Sequence, residues 1–303
     1  MRYRQLKHII LFVFLPIILF SQSKTDLFLT PSDTLNKPRR NGVIITEASL
    51  ATIALIGLDQ LWYADYERSK FHTINDNSEW MQLDKFGHAF TSYQLGKHGA
   101  QLLNWSGVSK KDQLLYGATL GFGFLTAVEV LDGFSKEWGF SWGDVMANAA
   151  GTGLYIGQEL LWEEQRIALK FSFHQTHYAK MQPDKLGESF LEQVLKDYNG
   201  QTYWLSVNLH SFFKESKIPK WFNIAVGYGA NGMLGDTEVV DNQLLTNITP
   251  YRQYYLSFDV NLSAIRTKSK LWSTIFDVFN MIKIPFPTLE ISKKGTVFHL
   301  FYN

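Results

Sequence analysis

"RIALKFSFH", residues 166–174, is where the chain changes its hydrophobic period. Leu169, Phe171 and Phe173 alternate with Lys170, Ser172 and His174, so an extended segment here has two unlike faces. Upstream, apolar residues recur at helical spacing; downstream, the alternation returns. "YWLSVNLHS" (203–211) sets Leu205, Val207 and Leu209 against Ser206, Asn208 and His210. "FNIAVGYG" (222–229) sets Phe222, Ile224, Val226 and Tyr228 against Asn223, Ala225, Gly227 and Gly229. "YYLSFDVNL" (254–262) repeats the pattern with Tyr254, Leu256, Phe258 and Val260 opposite Tyr255, Ser257, Asp259 and Asn261. Two shorter strands, around 289–291 and 297–302, bring the number to about six. The expected fold class is α+β: a bundle of about four apolar helices, then an antiparallel sheet or partial barrel.

Alternation alone does not say which face is inside. In an ordinary antiparallel sheet the apolar face packs on the helices. In a lipid-facing barrel the apolar face points outward and the polar one fills the interior. About six strands fall short of the eight in the smallest such barrels, which favours the packed sheet. Between the strands, "SKLWSTIFDVFNMIKIPFP" (269–287) stripes Leu271, Trp272, Ile275, Phe276, Phe279 and Ile282 along one side of a helix, fit to rest on the sheet or on a membrane interface.

The helical half begins with "VIITEASLATIALIGLDQLWYADYER" (43–68), apolar for about twenty residues apart from Glu47 and Asp59. Further helices are expected over 84–104, from Asp112 and from Trp142. Gly117 with Gly121, and Ala149 with Gly153 and Gly157, are small residues four apart, as in closely packed membrane helices or in a tight soluble bundle. Mean hydropathy is only −0.12. The division expected is 1–21 signal peptide, 22–42 polar leader, 43–165 helical domain and 166–303 β-rich region.

The first segment rests on "MRYRQLKH" followed by twelve uncharged residues, "IILFVFLPIILF", and a small Ser21, the order of a secretory signal. Export to the cell envelope follows. Twenty-three Phe, 14 Tyr and 9 Trp suit a membrane-associated protein, with membrane lipid as partner and the choice of inner or outer membrane left open. Lys and Arg number 29 against 28 Asp and Glu, so no global basic field recruits nucleic acid. No cysteine is present, so neither disulfides nor a lipid-bearing Cys enter the reading.

Three attractive motifs carry little. "GFSWG" (139–143) has the spacing of a hydrolase nucleophile elbow but lacks the preceding strand, and Ser141 followed by Asp144 fits a helix N-cap. "GYGANG" (227–232) follows a strand but precedes no helix, so it reads as a turn. His174 and His177 fall on opposite faces of an extended segment.

The charged residues inside the apolar helices are more informative. Asp84 and His88 share a helix face at i, i+4, Glu129 and Asp132 at i, i+3, and Asp144 and Asn148 at i, i+4. Unpaired charge at an apolar seam costs several kcal/mol, so these pairs, with Lys85 and Ser141, are expected to converge. The cluster can be a structural polar network, a site for a lipid headgroup or other envelope ligand, or a metal-assisted hydrolytic centre with Asp84, His88, Glu129 and Asp132 as candidate ligands. No spacing identifies a cofactor or a reaction.

The order D-K-x-x-H (84–88), E-x-x-D (129–132) and S-x-x-D-x-x-x-N-x-x-G (141–151) resembles the YfiM-like family of uncharacterised predicted periplasmic lipoproteins and, distantly, VanZ-like membrane proteins. The resemblance covers 84–151 and implies Asp84, Lys85, His88, Glu129, Asp132, Ser141, Asp144, Asn148 and Gly151 as signature positions. It implies no activity, and the missing Cys departs from the lipoprotein pattern.

Overall fold

A computed structural model describes residues 24–61, 66–236 and 248–302. The expected signal peptide falls on residues outside that set. Helix α1 (Lys37–Leu61) leaves Ile44, Ile45, Leu50, Ile53 and Ile56 exposed. Helix α2 (Leu83–Trp105) is the hub of the helical half, packing against α3 (Leu120–Asp132), the π-turn before it (Gln113–Gly117) and α4 (Trp142–Trp162). The segments Lys37–Gln60 and Lys110–Asp132 are each long and apolar enough to cross a membrane. The single helix expected from Asp112 is therefore interrupted, since Gln113–Gly117 closes wider i→i+5 hydrogen bonds.

Close backbone approach explains the bundle's tightness. A Cβ on Gly121 would lie 2.3 Å from Ser92 O, and one on Gly151 would lie 2.0 Å from Ala89 O, so any side chain there would force α2 away. Only half of the expected small-residue seams behaves this way. Gly117 meets Ala100, but Gly153 and Gly157 have no atom near their Cβ positions; Gly151 makes the contact on that helix.

The second half is one antiparallel sheet of β1 (Ile167–Phe173), β2 (Gln201–Asn208), β3 (Phe222–Asn231), β4 (Tyr251–Val260), β5 (Phe286–Ser292) and β6 (Gly295–Tyr302), paired in chain order. Short helices between 178 and 196 join β1 to β2, and α5 (Lys270–Phe279) joins β4 to β5. The sheet curls without closing into a barrel. Its β1 edge meets the segment before β5, where Phe171 N donates to Met281 O and Lys283 N to Phe171 O, each at 2.9 Å. Helix side chains cover the rest of that edge: Gln94 Nε2 donates to Leu169 O at 2.6 Å and Gln158 Nε2 to Ile167 O at 2.9 Å.

The orientation of the sheet reverses the ordinary expectation. Apart from one end, where Phe86 and Phe90 of α2 pack on Phe171, Tyr203 and Tyr228, the aliphatic residues of the strands point outward, while the polar ones are buried together with an aromatic cluster of Trp204, Tyr255 and Tyr302. Register makes the two faces explicit. Leu205, Val226, Leu256, Leu289 and Phe298 form one row straight across five strands. On the opposite face Ser206, Ala225, Ser257 and Thr288 form another, all buried. Within the curl, Lys170 Nζ sits 2.8 Å from Asp259 Oδ2, and both side chains are 0% exposed. Ser206 Oγ and Ile284 N also donate to Asp259, so this buried pair is fully bonded.

Candidate functional site

The charged residues of the helical half meet where α2, α3 and α4 come together. Asp84, Lys85 and His88 occupy the first turns of α2; Glu129 lies in the last turn of α3; Asp144 and Asn148 lie in the first turns of α4. Helix α2 is entered through Trp80, Met81 and Gln82, three consecutive residues in the left-handed region with φ of 46°, 52° and 67°. Each costs of order 1–3 kcal/mol. The sheet holds them: Tyr228 Oη donates to Met81 O at 2.6 Å and Arg252 Nη2 to Gln82 Oε1 at 2.8 Å. Local strain thus fixes where Asp84 and Lys85 begin the helix.

Lys85 is the internal cation. Its Nζ donates to Asp76 Oδ2 at 2.6 Å, Asp144 Oδ2 at 2.9 Å and Asp84 Oδ2 at 3.2 Å. Ser141 is the N-cap of α4, its Oγ accepting from Asp144 N at 3.2 Å and donating to Asp76 Oδ1 at 2.6 Å. That hydroxyl is committed on both sides, in keeping with a cap. Ser141 N donates to Glu129 Oε2 at 3.1 Å, which ties α3 to the start of α4.

His88 faces the acids with one nitrogen only. Its Nδ1 lies 3.1 Å from Asn148 Oδ1, so the amide oxygen accepts from Nδ1–H and leaves Nε2 directed at the carboxylates. Glu129 Oε1 is 3.6 Å from Nε2; Asp84 Oδ1 and Asp144 Oδ1 are each 3.8 Å away. A bare lone pair facing three carboxylates is repelled. A proton on Nε2, or a cation among the four groups, removes the conflict.

The protonation states follow from burial and from these neighbours. Burial pushes the Asp144 carboxyl up to about 7, helped by the charge of Asp84 and opposed by His88 and Lys85. Burial works against charge on His88, but Asp84, Asp144 and Glu129 outweigh it and hold the imidazole's pKa above its ordinary value. Burial likewise opposes Asp84, yet His88 and Lys85 keep its carboxyl below the usual carboxylate range. Two buried polar atoms are left over: Asn148 Nδ2 has no partner, and Asp144 Oδ1 lies 2.8 Å from Lys85 Nζ without hydrogen-bond geometry.

Among the described residues, Asp84, His88 and Asp144 form a group able to hold a metal ion, each offering one ligand atom, all within 4.8 Å of one another. Asp144 takes the place that spacing offered to Asp132. Asp132 stands one turn beyond Glu129 at the end of α3, half-buried and outside that group. Asp84 and His88 also border a groove of about 350 Å³ whose wall is largely apolar, with Phe90, Leu125, Phe171, Val194 and Leu195. Gly151 belongs to the helix contact with Ala89 rather than to the charged group.

Sequence reasoning missed two members. Asp76 sits in the polar loop "TINDNSEW" (73–80), where an acid reads as solvated; it is only 8% exposed and joins Lys85 to Ser141. Tyr198, from the segment before β2, donates its hydroxyl to Asp84 Oδ1 at 2.8 Å across 114 residues of chain. The position of Asp76 before the helix was its only signal; Tyr198 gave none.

No curated protein and no solved structure matches the chain. A family match supports an exported, envelope-associated protein of unknown activity: residues 73–157, under a third of the chain but including every charged member of the cluster, match the family described as "Predicted periplasmic lipoprotein (DUF2279)".

Proposed function

We propose that this envelope protein binds a divalent cation at Asp84, His88 and Asp144 and uses it to hold the anionic headgroup of a lipid. The observation that carries the reading is the junction of two unlike surfaces: an acid-rich, histidine-bearing cluster opening into a groove lined by Phe90, Leu125, Phe171, Val194 and Leu195. An amphiphile matches both, with its chain in the groove and its headgroup at the cation. Ligand atoms around a tetrahedral Zn²⁺ stand about 3.4 Å apart, so separations of 3.8 Å around His88 Nε2 need only a small contraction. Four carboxyl groups, Asp76, Asp84, Glu129 and Asp144, face one Lys and one His; burial pushes Asp144 up to about 7 and Glu129 up to about 8, and a divalent cation would take the place of the protons held there. Asn148, accepting from Nδ1–H, fixes the imidazole tautomer and leaves Nε2 free to bind a cation, as hydrogen-bond acceptors behind metal-bound histidines do.

Purified protein in detergent, titrated calorimetrically with Zn²⁺, Mn²⁺ and Mg²⁺, should bind one ion per chain. His88→Ala and Asp144→Asn should lose that binding. A short-chain phosphatidic acid should then bind only with the ion present. No saturable binding of any of the three ions ends the proposal. Hydrolysis of the bound lipid is a second reading, favoured by Glu129 Oε1 at 3.6 Å from His88 Nε2, where a carboxylate could take a proton from cation-bound water. Product release from the same short-chain lipid would separate an enzyme from a binding protein.

A further inference from the structure

We infer that the outward face of the six-stranded sheet lies against the acyl chains of a bilayer, so that the β-half, and not only the helices, is the membrane-contacting surface. In its aliphatic row the sheet is built inside out for water. Leu205, Val226, Leu256 and Phe298 of the central outward row are 40%, 54%, 50% and 65% exposed, while Lys170 and Asp259 on the other face are fully buried. In water this arrangement loses the hydrophobic gain of the aliphatic row and pays the desolvation of a charge pair. Against hydrocarbon the first loss disappears.

Three further features match that partner. Strands β3 and β4 are each ten residues long, within the roughly 9–11 residues by which a tilted strand crosses hydrocarbon. Aromatic residues bracket the aliphatic row on both sides. Tyr254, 51% exposed, stands at one end beside Tyr228, whose ring is covered by Phe86, and Phe222 and Phe258 pair at the other, 5.3 Å apart, with Trp221 beside them. This is the girdle pattern of lipid-facing strands. Of the two sheet edges, β1 has backbone groups met by Gln94, Gln158, Met281 and Lys283, which lowers the number left to face hydrocarbon. Exposed apolar side chains also occur on α1, which presents Ile45, Leu50, Ile53 and Ile56.

The chain has no native cysteine, so single-cysteine scanning needs no prior substitution. Val226→Cys, Leu256→Cys and Phe298→Cys would be reconstituted in phosphatidylcholine vesicles beside Lys214→Cys, whose parent side chain is 63% exposed in a charged loop. A charged maleimide should label the three outward positions at least tenfold more slowly than position 214. A bimane attached to them in detergent should be quenched by doxyl-labelled lipid after reconstitution, whereas bimane at 214 should not. Equal labelling at all four positions overturns the inference. So does protection that persists without lipid or detergent and coincides with disulfide cross-linking between copies, since a second chain would then cover the face. Repeating the quenching in Asp144→Asn separates the two proposals, because lipid contact by the sheet does not require the cation site.

Discussion

Charge is buried in two contrasting ways in the curled sheet and between the helices. Inside the curled sheet, Lys170 and Asp259 form an ion pair in which Asp259 accepts from Lys170, Ser206 and Ile284, and the buried Lys283 beside it donates to Ile284 O, its pKa pushed down by burial to about 8. Between the helices, four carboxylates share Lys85 and His88, two buried polar atoms lack hydrogen bonds, and a groove opens at one side. A completed pair holds a structure together. An unfinished one leaves a position for something else to occupy, and the contrast separates a structural polar core from a candidate site without reference to any reaction.

The largest expected effect tests the completed pair. Lys170→Met leaves the Asp259 carboxylate buried without its cation and should cost about 3–5 kcal/mol in detergent-based denaturation. The double variant Lys170→Met/Asp259→Leu removes both charges and should recover most of that loss. In the helical cluster, Asp144→Asn should change stability by less than about 1 kcal/mol, because it relieves like-charge crowding while Lys85 keeps Asp76 and Asp84. Equal losses for Lys170→Met and Asp144→Asn would erase the distinction between the two regions.

These regions were not equally legible in the sequence. The six strands and the main helices follow from period, because alternation and helical spacing are local properties. Which face of the sheet is inside is not local. Leu205 and Ser206 would alternate identically in either orientation, and only the curl of the sheet around Lys170 and Asp259 decides it. The charged pairs on α2, α3 and α4 stood out because Asp84, Glu129 and Asp144 interrupt apolar helices. Asp76 and Tyr198 did not, since a polar loop and a tyrosine before a strand have ordinary explanations of their own.

A smaller effect sharpens the contrast through pH. Asp144 has its folded pKa raised to about 7 from an unfolded value near 4, so the folded protein keeps a proton that the unfolded chain releases. Its contribution to stability is therefore greatest in acid and declines as pH rises from about 4 to 7. His88, also raised, contributes stability fully below about 6.5 and loses it as pH climbs through its folded value. Asp84, held low, acts oppositely and loses its contribution only as pH falls below its ordinary range. Without a divalent ion, the cluster should thus weaken the fold as pH passes upward through neutrality. Cation affinity should move the other way, because the ion competes with the protons on Asp144 and His88 and releases them on binding. Calorimetry in buffers of different ionisation enthalpy measures that release directly. Affinity that falls between pH 6 and 8 would contradict the assignment of these two ligands.

The smallest effect concerns Tyr198, the one member of the cluster contributed from the sheet-bearing half. Its hydroxyl donates to Asp84 Oδ1, the same oxygen that lies 3.8 Å from His88 Nε2, while the ring rests against Trp80 with centroids 5.0 Å apart. Tyr198→Phe keeps the ring contact and removes the hydrogen bond, which is worth about 1.5–3 kcal/mol when the acceptor is charged and less where water can replace it. If that bond only joins the two halves, stability should fall and cation affinity should stay constant. If it orients Asp84 as a ligand, affinity should drop by about threefold to tenfold, with a stability loss near 1 kcal/mol. The second outcome is expected, because Asp84 has Lys85 on one oxygen and Tyr198 on the other, and releasing Oδ1 frees the carboxylate to rotate towards Lys85, away from His88.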